Sequence, residues 1–160
     1  MSAHMAKQTA ISTTIAELHC PEQLIVWAIR HWLDGSHDWP AIQQVFWQAC
    51  GIVNVEAALQ DFQEMIGILS TSSRRTLYFH RPACRCVSAD ELTILNLIFA
   101  LQADRSEHAK ALVCWLVPLS LGNRLLGAAT CLSNALQKSG NVFTQIGREP
   151  LSALAIAGTA

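Results

Sequence analysis

Residues 88–102 read SADELTILNLIFALQ, and no other stretch limits the fold as tightly. Ser88 and Glu91 have the spacing of a capping box, in which hydroxyl and carboxylate each satisfy a backbone N–H left open at a helix start. The helix they begin carries Leu92, Ile94, Leu95, Leu97, Ile98, Phe99 and Leu101, with Asn96 and Gln102 as its polar breaks. A helix apolar on all sides is stable only when other elements surround it. The chain is therefore expected to build a bundle around this segment.

The surrounding elements are punctuated as helices. Pro21, at a natural first-turn position, leads into Leu24, Ile25, Ala28, Ile29 and Trp32 before Gly35, with Cys20 expected at the N-cap. Trp39-Pro40 opens a second run, Ile42, Val45, Phe46 and Ala49, that stops at Gly51. A third follows from Asn54 through Ala58, Leu59, Phe62, Ile66 and Leu69. Beyond the capped segment, a helix from about Ser106 ends at Pro118, and another carries Leu121, Leu125, Ala128, Ala129, Leu132 and Leu136 on one face until Gly140. Thr76 to Phe79 is too short for more than an extended piece. The predicted fold is all-α, a single-domain bundle of five to six helices over 17–140. Residues 1–16 and 141–160 are expected to be flexible ends.

Size and charge agree with one domain and narrow the function. The 160 residues are 51% hydrophobic and 14% charged, with 11 Lys plus Arg against 12 Asp plus Glu. A net charge of −1 excludes a whole-surface attraction to nucleic acid or membrane, so such binding needs a local patch. The longest apolar run, 111–122, is broken by Pro118 and falls short of the ~20 residues a transmembrane helix needs. No secretory signal pattern opens the sequence, which predicts a cytoplasmic protein with reduced thiols.

Chemistry concentrates in 70–87, STSSRRTLYFHRPACRCV, a connection of eighteen residues without helical period. Connections this long in compact domains are commonly functional. His80, Cys84 and Cys86 stand within seven residues, just before a helix start whose dipole, with Arg81 and Arg85, suits negatively charged groups. Cys20, at the start of the first helix, would add a third sulfur. Cys20, His80, Cys84 and Cys86 together would make a Cys₃His zinc tetrahedron, with His19 as a competing ligand. An iron–sulfur cluster is the alternative and needs a further cysteine or an open iron position. Buried or redox-active free thiols are the simpler account, since cysteine also behaves as a small hydrophobe. Cys50, Cys114 and Cys131, within helical runs, are expected in the core.

The same loop holds four of the eight arginines, Arg74, Arg75, Arg81 and Arg85, with no acid between 74 and 86. Beside a helix N-terminus they form a seat for phosphate or carboxylate, and Tyr78, Phe79 and His80 offer rings on which a base can stack. The competing account pairs these arginines with Asp90, Glu91 or the acidic third helix. The second and third helices have helix-turn-helix lengths, but Glu56, Asp61 and Glu64 without a Lys or Arg would repel DNA.

Five tryptophans are expected mainly in the core, although Trp27 and Trp32, about 140° apart around a helix, cannot both face one narrow stripe. A Cys84–His80 nucleophile is disfavoured because no oxyanion donors or orienting third group can be named. The leading expectation is a non-enzymatic metal- or redox-responsive protein acting through a protein partner. The alternatives are an anion- or nucleic-acid-binding module and a cysteine-nucleophile enzyme. A homodimer is expected around the apolar corner at Leu116, Leu119 and Leu121.

Overall fold

The computed structural model describes residues 12–35 and 38–146. It is an all-α bundle: a 3-10 turn, Ile15–Glu17, precedes α1 (Cys20–Leu33), α2 (Trp39–Ser72), α3 (Ala89–Gln102), α4 (Ser106–Leu116) and α5 (Leu119–Lys138). Among the described residues there is no strand; the 76–79 segment has no ladder partner, and one isolated antiparallel bridge joins Thr14 to Cys86. No helix among them is long and apolar enough to cross a membrane.

The capping box forms as its spacing predicts. Glu91 N–H donates to Ser88 Oγ at 3.1 Å, and Ser88 N–H donates to the Glu91 carboxylate at 2.8 Å. Ile94, Leu95, Leu97 and Ile98 are all 0% exposed. At 100° per residue these positions cover an arc of about 160°, and Leu92, Thr93, Asn96 and Phe99 on the remaining side are half-buried, so no side of the middle of α3 is left fully exposed where it packs on α1, α4 and α5.

The expected second and third helices are the two arms of α2, divided at Gly51, whose φ of 73° and ψ of 168° interrupt the helical backbone. Phe46 and Phe62 lie sixteen positions apart, which in a straight helix is a rise of about 24 Å. Their ring centroids are 5.1 Å apart, so the arms fold back on each other at Gly51. Only glycine occupies that backbone region without strain. A Cβ at Gly51 would meet nothing within 4 Å, which leaves backbone strain as the penalty for any side chain there. Gly51→Ala is expected to cost about 1–3 kcal/mol in chemical denaturation.

Several expectations change. α1 starts at Cys20, with His19 as the N-cap, one residue earlier than the expected cap. Cys50 is buried, but Cys114 and Cys131 are exposed. The reason is helical phase: α4 turns Ala109, Val113 and Leu116 inward and α5 turns Leu125, Ala128, Ala129, Leu132 and Leu136, leaving both thiols off the buried stripes. Trp47 and Trp115 also face outward, at 54% and 58% exposure. Of the apolar corner, Leu116 is core, Leu121 is half-buried, and Leu119 is exposed.

Packing extends past 17–140 at both ends. Val87 N–H donates to Thr13 O and Ile15 N–H to Arg85 O, both at 2.8 Å. On the other side Phe143 is buried, its N–H donating to Gln102 Oε1 at 2.7 Å. Gln102 Nε2 in turn donates to Asn141 O at 3.0 Å, so this polar break in α3 holds the chain leaving α5. The rest of the two expected flexible ends, 1–11 and 147–160, lies outside the described residues.

Candidate functional site

The connection between α2 and α3 is organised by one buried ion pair. Arg30, on α1, is 2% exposed, and Glu91, in the first turn of α3, is 0% exposed. Their contact is bidentate, Nε to Oε1 at 2.7 Å and Nη2 to Oε2 at 2.9 Å. The remaining guanidinium hydrogens go to loop carbonyls: Nη1 donates to Cys84 O at 2.7 Å and Arg81 O at 3.4 Å, and Nη2 to Cys86 O at 2.6 Å. The carboxylate accepts the His80 N–H at 3.2 Å as well as that of Ser88. Two side chains thus bond five backbone groups of the irregular loop and its junction with α3, of which only the Arg81 carbonyl also has a partner within the loop, the Cys84 N–H at 3.0 Å.

Sequence reasoning missed Arg30. The available signal was its place four residues after Val26, on the face of α1 that also buries Ile29; a charge there demands a partner. Nothing local names that partner, which is 61 residues away.

The four expected metal ligands are not assembled. Cys84 and Cys86 are half-buried beside Arg30, whereas Cys20 is exposed at the opposite end of α1, ten residues and about 15 Å of helix rise away. The His80 ring stands edge-on to Tyr78 at 5.1 Å, and His19 Nδ1 is hydrogen-bonded to Thr144 Oγ1 at 3.0 Å. Among the described residues no group of three or more His, Cys, Asp or Glu is placed to hold a metal ion. The loop is tethered instead by the Arg30–Glu91 pair.

The arginines divide into two pairs. Arg74 caps the end of α4, its N–H donating to Leu116 O and its Nη1 to Cys114 O, each at 2.9 Å. Arg75 pairs with Asp90 at 2.6 Å and lies 5.0 Å over the Trp115 ring. Arg81 and Arg85 are exposed, and their side chains make no ion pair among the described residues. The first turn of α3 is not a vacant anion seat, because Ser88, Asp90 and Glu91 already occupy it.

What the loop does build is a cleft of about 500 Å³ against the ends of α1 and α2. Leu33, Leu69, Leu77 and Phe79 supply apolar wall, Arg74 and Arg75 supply the charge, and no acid lines it. Each guanidinium has five N–H donors, and the bonds above leave most of them open. Such a cleft can hold a negatively charged head group on an apolar body.

The cysteines outside the loop differ in reactivity. Burial pushes the Cys50 thiol above its ordinary pKa, opposed in part by a hydrogen bond from Ser139. A maleimide pulse on native protein is expected to label Cys20, Cys114 and Cys131 first and to reach Cys50 only after denaturation. Mass mapping of the labelled peptides reads this order.

No protein family, curated protein or solved structure matches the chain.

Proposed function

We propose that the protein is a non-enzymatic binding module whose loop cleft takes an amphipathic anion, a carboxylate or phosphate carried on an apolar chain or ring. The cleft carries this reading: two arginines held in place by hydrogen bonds, Arg74 to the end of α4 and Arg75 to Asp90, with most of their N–H donors open, beside an apolar wall with no acid in the lining. Its volume of about 500 Å³ falls within the ~300–1,000 Å³ of small-molecule sites. Arg81 and Arg85 add positive charge to the same loop and draw anions toward it.

Calorimetry with decanoate, and with decanol as the uncharged control, tests the proposal. Decanoate is expected to bind, to weaken as salt screens the arginines, and to lose at least about tenfold in affinity when Arg74 and Arg75 are both replaced by glutamine. Circular dichroism checks that the double variant is folded. Equal binding of decanol, or unchanged binding by the variant, rejects an anion site; tighter binding of a single-stranded oligonucleotide selects the nucleic-acid form of the reading.

The metal- or redox-responsive reading rests on the paired, half-buried thiols of Cys84 and Cys86, with zinc ahead of an iron–sulfur cluster, and needs ligands brought from elsewhere. Near-stoichiometric zinc or iron in elemental analysis, lost in both Cys84→Ser and Cys86→Ser, would put it ahead. Six free cysteines suit a reducing, cytoplasmic setting. A protein partner or second copy has Trp115 and Leu119, 58% and 85% exposed, to dock on; sedimentation of the same samples reads self-association.

A further inference from the structure

A separate cavity of about 220 Å³ lies between α3, α4 and the chain leaving α5. Asn96 and Phe99 line it from α3, Arg105, His108 and Leu112 from the start and body of α4, and Ile146 from the last described residues. Asn96 is one of the two polar breaks in the apolar run of α3, and its Oδ1 is shut from water with no hydrogen-bond partner. A buried acceptor left in this state costs about 1–3 kcal/mol, a penalty that a bound donor removes. Arg105 is held 5.3 Å over the Phe99 ring and makes no ion pair among the described residues. No acid lines the cavity, and His108 is a second potential donor at its wall.

From this arrangement we infer a binding site for a small organic acid that carries a hydroxyl or amide N–H. The carboxylate pairs with the Arg105 guanidinium, the body packs on Phe99, Leu112 and Ile146, and the Asn96 amide turns toward the cavity so that the hydroxyl or N–H donates to its Oδ1. The volume is below the ~300 Å³ at which drug-sized pockets begin, which limits the ligand to about one ring. A water that reached Asn96 after the same turn of its amide would use neither the apolar wall nor the arginine. The site shares no residue with the loop cleft and does not depend on it.

Calorimetry and amide-resolved NMR on the full chain test this with 4-hydroxybenzoate, benzoate and 4-hydroxybenzyl alcohol. The expected result is one 4-hydroxybenzoate per chain, a shift of the Asn96 side-chain amide, and affinity about tenfold weaker for each probe that lacks one polar group. Arg105→Gln should weaken the acid and leave the alcohol unchanged. Asn96→Leu should abolish the advantage of 4-hydroxybenzoate over benzoate while the ligand-free protein melts no lower than wild type, because it removes an unsatisfied group. Arg74→Gln, in the other site, should change nothing. Folded wild-type protein that shows no saturable binding of 4-hydroxybenzoate overturns the inference. So does equal binding of benzoate and 4-hydroxybenzoate, or a ligand-soaked crystal with only ordered water in the cavity.

Discussion

Replacing Arg30 by alanine is expected to destabilise the protein by about 3–5 kcal/mol, the usual consequence of removing one partner from a buried ion pair. Glu91 would remain 0% exposed with its charge unmatched, and the carbonyls of Arg81, Cys84 and Cys86 would lose their shared donor. The damage should be local first. Trypsin cleavage after Arg85 should accelerate before global unfolding, because residues 81–86 would then keep only the antiparallel bridge to Thr14, while the Arg74, Ser88 and Asp90 contacts hold the earlier part of the loop. Arg30→Lys should rescue only part of the loss, since an ammonium keeps the charge but not the planar fork that reaches carboxylate and three carbonyls together. Urea titration of the three proteins, with the cleavage rates beside it, measures the effect; an Arg30→Ala midpoint close to wild type would show that the pair contributes little.

Phe62→Ala should cost a similar amount, about 3–5 kcal/mol, by a different mechanism. Phe62 and Phe46 are both 0% exposed, and their contact closes the two arms of α2 over the Gly51 elbow. Truncation removes the ring and leaves a cavity that neighbours held on separate arms cannot readily fill. The denaturant midpoint should fall with little change in slope, the mark of lost stability rather than altered compactness. Val53→Ser, only nine positions away but 86% exposed, provides the contrast and should stay within about 0.5 kcal/mol of wild type.

The same contrast separates what was legible in the residues from what was not. Helix starts and stops are decided within a few positions, so the Ser88–Glu91 capping box, the break at Gly51, the stop at Pro118 and the turn at Gly140 could all be read directly. The all-round apolar pattern after Leu92 equally required an enclosed helix, because nothing else hides that much apolar surface. The candidate site was legible only as a location. Residues 70–87 stood out by lacking apolar periodicity, although 70–72 complete α2 and the loop begins only at Ser73, and the loop's chemistry depends on distant residues that the pattern does not connect.

Three-dimensional packing decided the rest. Arg30 was one charge on an amphipathic helix until α1 and α3 brought it to Glu91; that meeting gives the loop a buried ion-pair tether that no local pattern announced. Arg74 and Arg75 became a charged wall only once the ends of α1 and α2 closed beside them. Cys114 and Cys131 were sorted outward by helical rotation, which sequence leaves open where small and apolar residues occupy several faces. By itself, then, the sequence determined the helices, their ends and the enclosed centre, because local hydrogen bonding and apolar period suffice for these. The tertiary structure alone decided which charges meet, which thiols reach solvent and where cavities remain, because those follow from the relative rotation and spacing of elements far apart in the chain.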